Sequence, residues 1–213
     1  MNIKKFTFNI FQENTFILWD NKNECIIIDP GCYENEEEKI LENFIKNNNL
    51  KPVKLINTHC HIDHILGNNF VIKKWGVDLY IHKKEIPIIE MSQETSKIYG
   101  LEHYTYADHN YKFIEENDVI TFGNSSLDII FTPGHSPGHI SLYSKKEKFI
   151  ISGDVLFQNS IGRTDLPGGD YDQLIKIIRS KLLKLDNETR IYCGHGESTT
   201  IKQEKDLNPF LKD

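Results

Sequence analysis

The chain has 213 residues, a net charge of −6 and 38% hydrophobic residues, values typical of a soluble globular enzyme domain. Its lysine pairs are scattered rather than grouped with aromatic residues, which argues against a surface that follows nucleic-acid phosphates. No stretch approaches the length of a membrane span, and the N-terminus lacks the apolar core of a signal peptide. We therefore expect one cytoplasmic domain over residues 1–213, with neither nucleic acid nor membrane as a partner.

The first predicted elements form a β-meander followed by a helix. Residues 3–8, 14–19 and 25–29 alternate or run apolar at strand length, and a turn-forming Asp-Pro-Gly sequence ends the third run. Asn35, with Glu38 three residues later, is typical of a helix start. The residues predicted to form the apolar face of this helix are Ile40, Leu41, Phe44 and Ile45.

The next predicted strand carries the most informative motif. Residues 53–57 are a short apolar run, and residues 58–64 directly after it read THCHIDH. These ligand-type side chains therefore lie at the carboxyl end of a strand, where α/β sheets place their sites. In an extended chain, His59 and His61 point the same way, and a turn would then present the final aspartate and histidine together. Two pairs of ligands indicate two metal ions.

Three later segments have the same form. Apolar, strand-like runs at residues 129–131, 149–151 and 190–192 each lead to a small residue beside a metal-capable side chain. These side chains are His135, Asp154 and His195. A purely structural role is disfavoured, because so many histidines and aspartates are costly to bury without a cation. His139 begins another predicted strand, and we expect it to pack or to orient a ligand.

Two further segments are less specific. Residues 99–111 contain several tyrosines and histidines with little periodicity, and we interpret them as a packed loop, with a cleft wall as the alternative. A second amphipathic helix is predicted after Gly169, capped by Asp170 or Asp172. Its predicted apolar face consists of Leu174, Ile177, Ile178, Leu182 and Leu185.

The four cysteines lack any CxxC pairing, so we expect reduced thiols rather than a disulfide framework. Cys60 and Cys193 stand beside predicted ligands. We interpret both as small buried residues.

These residues, in this order, resemble the metallo-β-lactamase superfamily along nearly the whole chain, and within it the glyoxalase II (hydroxyacylglutathione hydrolase)-like branch. Residues 161–170 and 208–211 resemble a short bacterial subgroup of that branch. The resemblance implies an α/β fold, a four-layer αββα sandwich in which two mixed β-sheets are flanked by helices. It also implies seven metal ligands: His59, His61 and His135 on the first ion, Asp63, His64 and His195 on the second, and Asp154 bridging both.

The same resemblance implies a metal-dependent hydrolase in which a metal-bridging hydroxide attacks an acyl thioester such as S-lactoylglutathione. Two divalent ions are expected, zinc first, with iron and manganese as alternatives. Asp63 and Asp154 are the predicted catalytic residues, Asp63 because it would also orient the hydroxide. A thioester suits a site without an obvious general acid, since a thiolate leaves unprotonated. Asp29 is predicted either to hold a ligand in place or to cap its turn.

Two features bear on the substrate. The residues after His195 are too few for the helical C-terminal extension that supplies part of the glutathione-binding surface in glyoxalase II. Arg163 lies where the glyoxalase II loop carries a basic residue that contacts the thiol carrier. It is predicted either to clamp a substrate carboxylate or to pair with Asp165 at the surface.

Other activities use the same fold. A persulfide dioxygenase would bind one iron through His59, His135 and Asp154, and a lactonase would direct the same hydroxide at a ring ester. Zinc β-lactamases are disfavoured by the missing signal peptide and, among those with a cysteine ligand, by Asp154 at the position of that thiolate. RNA-processing enzymes are disfavoured by the acidic balance. A non-enzymatic metal-binding module is disfavoured by the complete ligand set.

Overall fold

The structure is a computed structural model that describes residues 1–107 and 109–212, so that Asp108 and Asp213 lie outside it. The chain forms two compact units. Unit 1 comprises residues 1–114 and 121–126, and unit 2 comprises residues 115–120 and those from 127 onward. The single domain expected over residues 1–213 stays a prediction.

The first sheet has six strands in the order β1-β2-β3-β4-β5-β6. The strands are β1 (Asn2–Phe8), β2 (Glu13–Trp19), β3 (Glu24–Ile28), β4 (Lys51–Ile56), β5 (Leu79–Ile81) and β6 (Tyr111–Phe113). The pairs β1–β2 and β2–β3 are antiparallel and form the predicted meander, whereas β3 to β6 pair in parallel. The sheet is therefore mixed, and the HxHxDH motif follows its fourth strand.

Unit 1 contains five helices among its described residues. They are α1 (Asn35–Asn47), α2 (Ile62–Ile65), α3 (Asn68–Trp75), α4 (Ile86–Glu90) and α5 (Ser92–Ile98). Helix α1 connects the parallel strands β3 and β4 and buries Leu41 and Ile45. Ile40 is 51% exposed, so the apolar stripe is narrower than predicted. The carboxylate of Glu37 accepts hydrogen bonds from the backbone N–H groups of Tyr33 and Glu34, which places the cap at Glu34.

Among its described residues, the segment at 99–111 contains both a packed side chain and part of a cleft wall. The Tyr104 hydroxyl is buried and donates to Ser92 Oγ at 2.8 Å, whereas the backbone N–H of His103 donates to the Tyr33 hydroxyl at 2.8 Å. Together with α3, these residues border a cleft of about 280 Å³. Both interpretations offered by the sequence therefore describe part of this segment.

The second sheet has six strands in the order β14-β13-β10-β9-β8-β7, and β11 and β12 form a separate pair. These strands are β7 (Val119–Phe122), β8 (Ser125–Phe131), β9 (Ile140–Ser144), β10 (Phe149–Gly153), β11 (Leu156–Phe157), β12 (Ser160–Ile161), β13 (Arg190–Cys193) and β14 (Thr199–Thr200). Strand β10 pairs in parallel with β13 and antiparallel with β9, so this sheet is also mixed. Each apolar run predicted to precede a ligand is a strand.

Unit 2 contains helices α6 (Tyr171–Ser180) and α7 (Ile201–Leu207). The carboxylate of Asp170 accepts a hydrogen bond from the backbone N–H of Gln173 at 2.9 Å, so Asp170 rather than Asp172 is the cap. Leu174, Ile178 and Leu182 are fully buried in the core of this unit, whereas Ile177 and Leu185 are half-buried, and α6 ends before Leu182, so the helix is shorter than predicted. Throughout the described part of the chain, no helix has both the length and the apolar composition needed to cross a membrane.

Candidate metal centre

The HxHxDH motif spans the loop after β4 and the short helix α2, and it gathers three imidazoles within unit 1. The ring centroids of His59 and His61 are 4.8 Å apart, and those of His59 and His64 are 4.1 Å apart. The chain turns at α2, which begins at Ile62 and presents Asp63 and His64 one after the other. This is the extended segment followed by a turn that the spacing predicts.

His64 is fully buried and has carboxylates on both sides of its ring. Its Nε2 lies 3.6 Å from Asp63 Oδ2. Two ligands bound to one tetrahedral ion at about 2.0–2.1 Å lie roughly 3.3 Å apart, so this pair fits a common ion. The Nδ1 atom lies 3.2 Å from Asp29 Oδ2 and 3.8 Å from Glu13 Oε1. Carboxylates at the far nitrogen of a metal-binding histidine orient the ring and raise its basicity.

Asp29 also sets the tautomer of His59. Its Oδ1 accepts from the backbone N–H of Thr58 at 2.7 Å, and its Oδ2 accepts from Thr58 Oγ1 at 2.6 Å. Because the Thr58 hydroxyl donates its only hydrogen to Asp29, it can only accept a hydrogen bond from His59 Nδ1, at 3.1 Å. His59 Nε2 then carries the lone pair that a metal requires. Asp29 therefore supports two predicted ligands, which favours a positioning role over a turn cap alone.

Two buried glutamates beside the motif were not identified from the sequence. Glu13 is fully buried at the start of β2 and accepts from Thr15 Oγ1 at 2.8 Å. Glu85 is 1% exposed and accepts from the backbone N–H of Cys60 at 2.7 Å. Burial raises the pKa of Glu13 well above its usual range, while the His64 imidazole acts in the opposite direction. Glutamates are almost always at the surface, so the sequence gives no reason to expect either residue to be buried beside the motif.

The cysteines beside the predicted ligands are buried, as the sequence suggests. Cys60 and Cys193 are each 1% exposed. Burial raises the pKa of the Cys60 thiol well above its usual range and that of Cys193 to about 12. Both side chains are therefore thiols at neutral pH, because removal of the proton would place a charge in the protein interior.

In unit 2, one aspartate oxygen lies at equal distances from the nitrogens of two imidazoles. Asp154 Oδ2 lies 3.5 Å from His135 Nε2 and 3.5 Å from His195 Nε2. Each distance fits a pair of ligands on one ion, so a single oxygen has the position that a bridging ligand needs. Gly162 makes this packing possible, since a side chain there would overlap the backbone oxygen of Asp154.

Hydrogen bonds fix the orientation of these ligands. His135 Nδ1 donates to the backbone oxygen of Arg163 at 2.7 Å. A carbonyl only accepts, so the proton is on Nδ1 and the lone pair of Nε2 faces Asp154. His139 Nε2 accepts from the backbone N–H of Asp154 at 3.0 Å, and its Nδ1 then donates to Thr132 Oγ1 at 2.9 Å. His139 therefore orients Asp154, as its place in the sequence suggests.

The side chain of Arg163 pairs with Asp165. Its Nε and Nη2 atoms donate to the two carboxylate oxygens, both at 2.7 Å. This hydrogen bonding lowers the pKa of Asp165 to about 2, so its carboxylate is ionised at neutral pH. The two side chains are 57% and 67% exposed. The surface pair anticipated from the sequence is present, and its geometry is the one that a guanidinium uses to bind any carboxylate.

The family model described as the metallo-beta-lactamase superfamily matches residues 9–195, a span that contains every predicted ligand. The chain belongs to the metallo-β-lactamase superfamily. As a member of this superfamily of hydrolases, it is expected to use divalent metal ions and to act on a small-molecule substrate. Which of its residues bind the ions stays a prediction.

Individual members of the superfamily resemble the chain over its full length. It is 37% identical to hydroxyacylglutathione hydrolase GloC of Haemophilus influenzae, over 99% of this chain and 98% of that protein. Among solved structures, the BLEG-1 B3 metallo-beta-lactamase matches with a TM-score of 0.90 and 36% identity, covering 100% of both chains. The di-iron-bound form of TTHA1623 matches with a TM-score of 0.87 and 31% identity, over 98% of this chain and 100% of that one. These likenesses confirm the predicted metallo-β-lactamase fold, with two mixed sheets flanked by helices.

Proposed function

We propose that this protein hydrolyses an acyl thioester of the S-lactoylglutathione type, using two divalent ions and acting as one domain over residues 1–213. The observation that carries the proposal is the position of Asp154 Oδ2, 3.5 Å from the Nε2 atoms of both His135 and His195. The similarity to a hydroxyacylglutathione hydrolase supports the choice of substrate class.

The donor atoms of both units fit divalent metal ions. The proposed ligands are His59, His61, Asp63, His64, His135, Asp154 and His195. Mixed imidazole and carboxylate ligands accept zinc, iron and manganese. We propose zinc as the metal in the cell. The similarity to TTHA1623, solved in a di-iron-bound form, supports iron as the alternative.

When bound, the two ions would supply a hydroxide nucleophile at neutral pH and stabilise the negative charge that develops on the substrate oxygen. The protein's contribution is to hold the ligands in advance. His59 Nδ1 donates a hydrogen bond to the Thr58 hydroxyl, and His135 Nδ1 donates one to the backbone oxygen of Arg163. Each ring therefore carries its proton on Nδ1, and both Nε2 atoms are unprotonated. We assign Asp154 to bridging the ions and Asp63 to orienting the nucleophile.

The leaving group favours a thioester over an amide. A thiol has an ordinary pKa of about 8.5, so a thiolate departs without a proton from the protein. We have identified no general acid among the described residues of the centre. An amine leaving group would need such an acid.

The direct test is hydrolysis of S-lactoylglutathione by protein of known metal content, followed as loss of thioester absorbance. Metal-free protein is loaded in parallel with zinc, manganese or iron. We expect kcat/KM above about 10⁴ M⁻¹s⁻¹ for at least one metal, which is the lower range for a cognate enzyme. Negligible turnover with all three metals would contradict the thioester proposal and leave the superfamily assignment intact.

A second candidate function is β-lactam hydrolysis, favoured by the 36% identity to the BLEG-1 B3 metallo-beta-lactamase over the whole chain. The same metal-loaded samples, given a chromogenic cephalosporin, separate the two candidates. Faster turnover of the cephalosporin than of the thioester would favour β-lactam hydrolysis as the function.

We further propose that Arg163 binds the carboxylate of an anionic substrate, exchanging it for Asp165. Replacement of Arg163 by alanine should raise KM for an anionic thioester about tenfold more than for a neutral ester, the effect of one charge-assisted hydrogen bond. The exchange is feasible because exposed ion pairs contribute only about 0–1 kcal/mol. Lys176→Ala, which removes an exposed cation from α6, is the control. Equal effects of Arg163→Ala on both substrates would contradict the assignment.

A further inference from the structure

Two buried carboxylates face the same nitrogen of one imidazole in unit 1. Glu13 and His64 are fully buried, and Asp29 is 1% exposed. Asp29 Oδ2 lies 3.2 Å from His64 Nδ1, and Glu13 Oε1 lies 3.8 Å from the same atom. Burying one carboxylate is costly, and a single acceptor is enough to orient an imidazole. The second carboxylate, that of Glu13, therefore needs a separate explanation.

Glu13 is held in place by the surrounding fold. Thr15 Oγ1 donates to Glu13 Oε2 at 2.8 Å and accepts from the backbone N–H of Gly31 at 2.9 Å. A side chain at position 31 would overlap Oε2, so the glycine there leaves room for the carboxylate. These contacts occupy one oxygen and turn the other towards His64.

The two carboxylates have different connections. Both oxygens of Asp29 accept from Thr58, whose hydroxyl also contacts His59, so Asp29 supports both histidines. Glu13 Oε1 has no hydrogen-bond partner among the described residues, and it lies 3.8 Å from His64 Nδ1. Among the imidazoles of the motif, Glu13 therefore acts on that of His64.

We propose that Glu13 is a positioning residue that acts through His64, making the ion held by Asp63 and His64 bind more tightly without affecting the other ion. Its carboxylate oxygen, 3.8 Å from Nδ1, acts on the ring through its charge and favours the positive charge that the imidazole gains when Nε2, the atom that faces Asp63, binds an ion. The inference rests on the proposed function, since it requires that Asp63 and His64 are metal ligands.

The test is the zinc affinity of the Glu13→Gln variant. Glutamine has the same shape and keeps an acceptor for Thr15, but it removes the carboxylate from the far side of His64. Metal-free protein is titrated with zinc in competition with a chromophoric chelator, which resolves the two binding steps. We expect the affinity of one step to fall about 10–100-fold, the usual cost of losing a residue behind a metal ligand. The other step should be unchanged.

Two further variants identify the affected step and control for the substitution. Asp63→Asn, which alters a proposed ligand of the same ion, should weaken the step that Glu13→Gln weakens. Glu36→Gln, on the exposed face of α1, should leave both steps as in the wild type. A general loosening of the fold would weaken both steps, so the selective loss separates positioning from a structural role.

Unchanged affinities in Glu13→Gln, or equal losses at both steps, would overturn the role of Glu13. If that variant does not fold, Thr15→Val removes the hydroxyl that holds Oε2 and should produce the same selective loss to a smaller degree. A wild-type chain that binds only one zinc would instead contradict the dinuclear proposal, and with it the inference. The wild-type and variant titrations therefore distinguish the two failures.

Discussion

Replacing Asp154 with alanine is expected to abolish hydrolysis and to lower the metal content of the purified protein. One oxygen of Asp154 lies 3.5 Å from each of two proposed ligands, His135 and His195, which the family pattern assigns to different ions. Losing this oxygen would weaken the binding of both ions at once. We expect kcat/KM to fall on the order of 10³-fold or more, equivalent to about 4 kcal/mol of transition-state stabilisation. Thioester hydrolysis and elemental analysis of the same sample provide the measurement.

The surroundings of Asp154 make this substitution interpretable. His139 accepts its hydrogen bond from the backbone N–H of residue 154, which alanine retains. The loop should therefore keep its conformation. Asp206→Ala is a matched control, because it removes an exposed carboxylate of the same unit that lies on α7 beside Lys202 and has no role in the proposed site. Full activity in Asp154→Ala, with normal metal content, would show that Asp154 does not bridge the ions.

Removal of metal by a chelator is expected to eliminate activity and to lower the unfolding temperature by about 8–16 °C. Even a single ion, bound only by the native state at about 1,000 times its Kd, stabilises that state by about 4 kcal/mol, so this shift is a lower bound for two ions. For a chain of this size, each kcal/mol shifts Tm by about 2–4 °C. The physical reason is that the carboxylates beside His64 and at Asp154 would lose the cations that neutralise them, and the imidazoles would lose their bonds to metal. Differential scanning calorimetry with and without added zinc measures the shift.

Two controls make the chelation experiment specific. Adding zinc, manganese or iron back to the stripped protein should restore the lost stability. The Asp154→Ala variant should show a smaller metal-dependent shift than the wild type, because it binds metal less well. An unfolding temperature that is the same with and without metal would argue against ions bound within the folded structure.

The elements that carry the proposed ligands could be predicted from local sequence. Alternating and continuous apolar runs located β4, β8, β10 and β13, because strands with buried faces need those residues whatever surrounds them. The ligands then follow these strands at turns. The cap of α6 could also be predicted, since the Asp170 side chain accepts its hydrogen bond from the backbone of the same helix. Predictions succeeded where the deciding interactions lie within a few residues of each other.

Other features depended on packing between distant segments. Ile40 fits the apolar period of α1 but is 51% exposed, because the helix buries a narrower face than its sequence offers. The start of α1 is set by Glu37, whose carboxylate also accepts from the backbone of Asn9, 28 residues earlier. Glu13 and Glu85 have the composition of surface residues, and only their long-range contacts show that they are buried beside the motif.

Residue type and spacing mark the candidate ligands, since an HxHxDH run after a strand places its side chains at one end of a sheet, and the resemblance to the superfamily implies which ion each of them binds. Their protonation and support do not follow from spacing. Thr58, Asp29 and Arg163 determine which ring nitrogens of His59 and His135 are free for a metal, through hydrogen bonds between segments remote in the chain. Such contacts form only when folding brings those segments together, because each one requires a donor and an acceptor within about 3 Å.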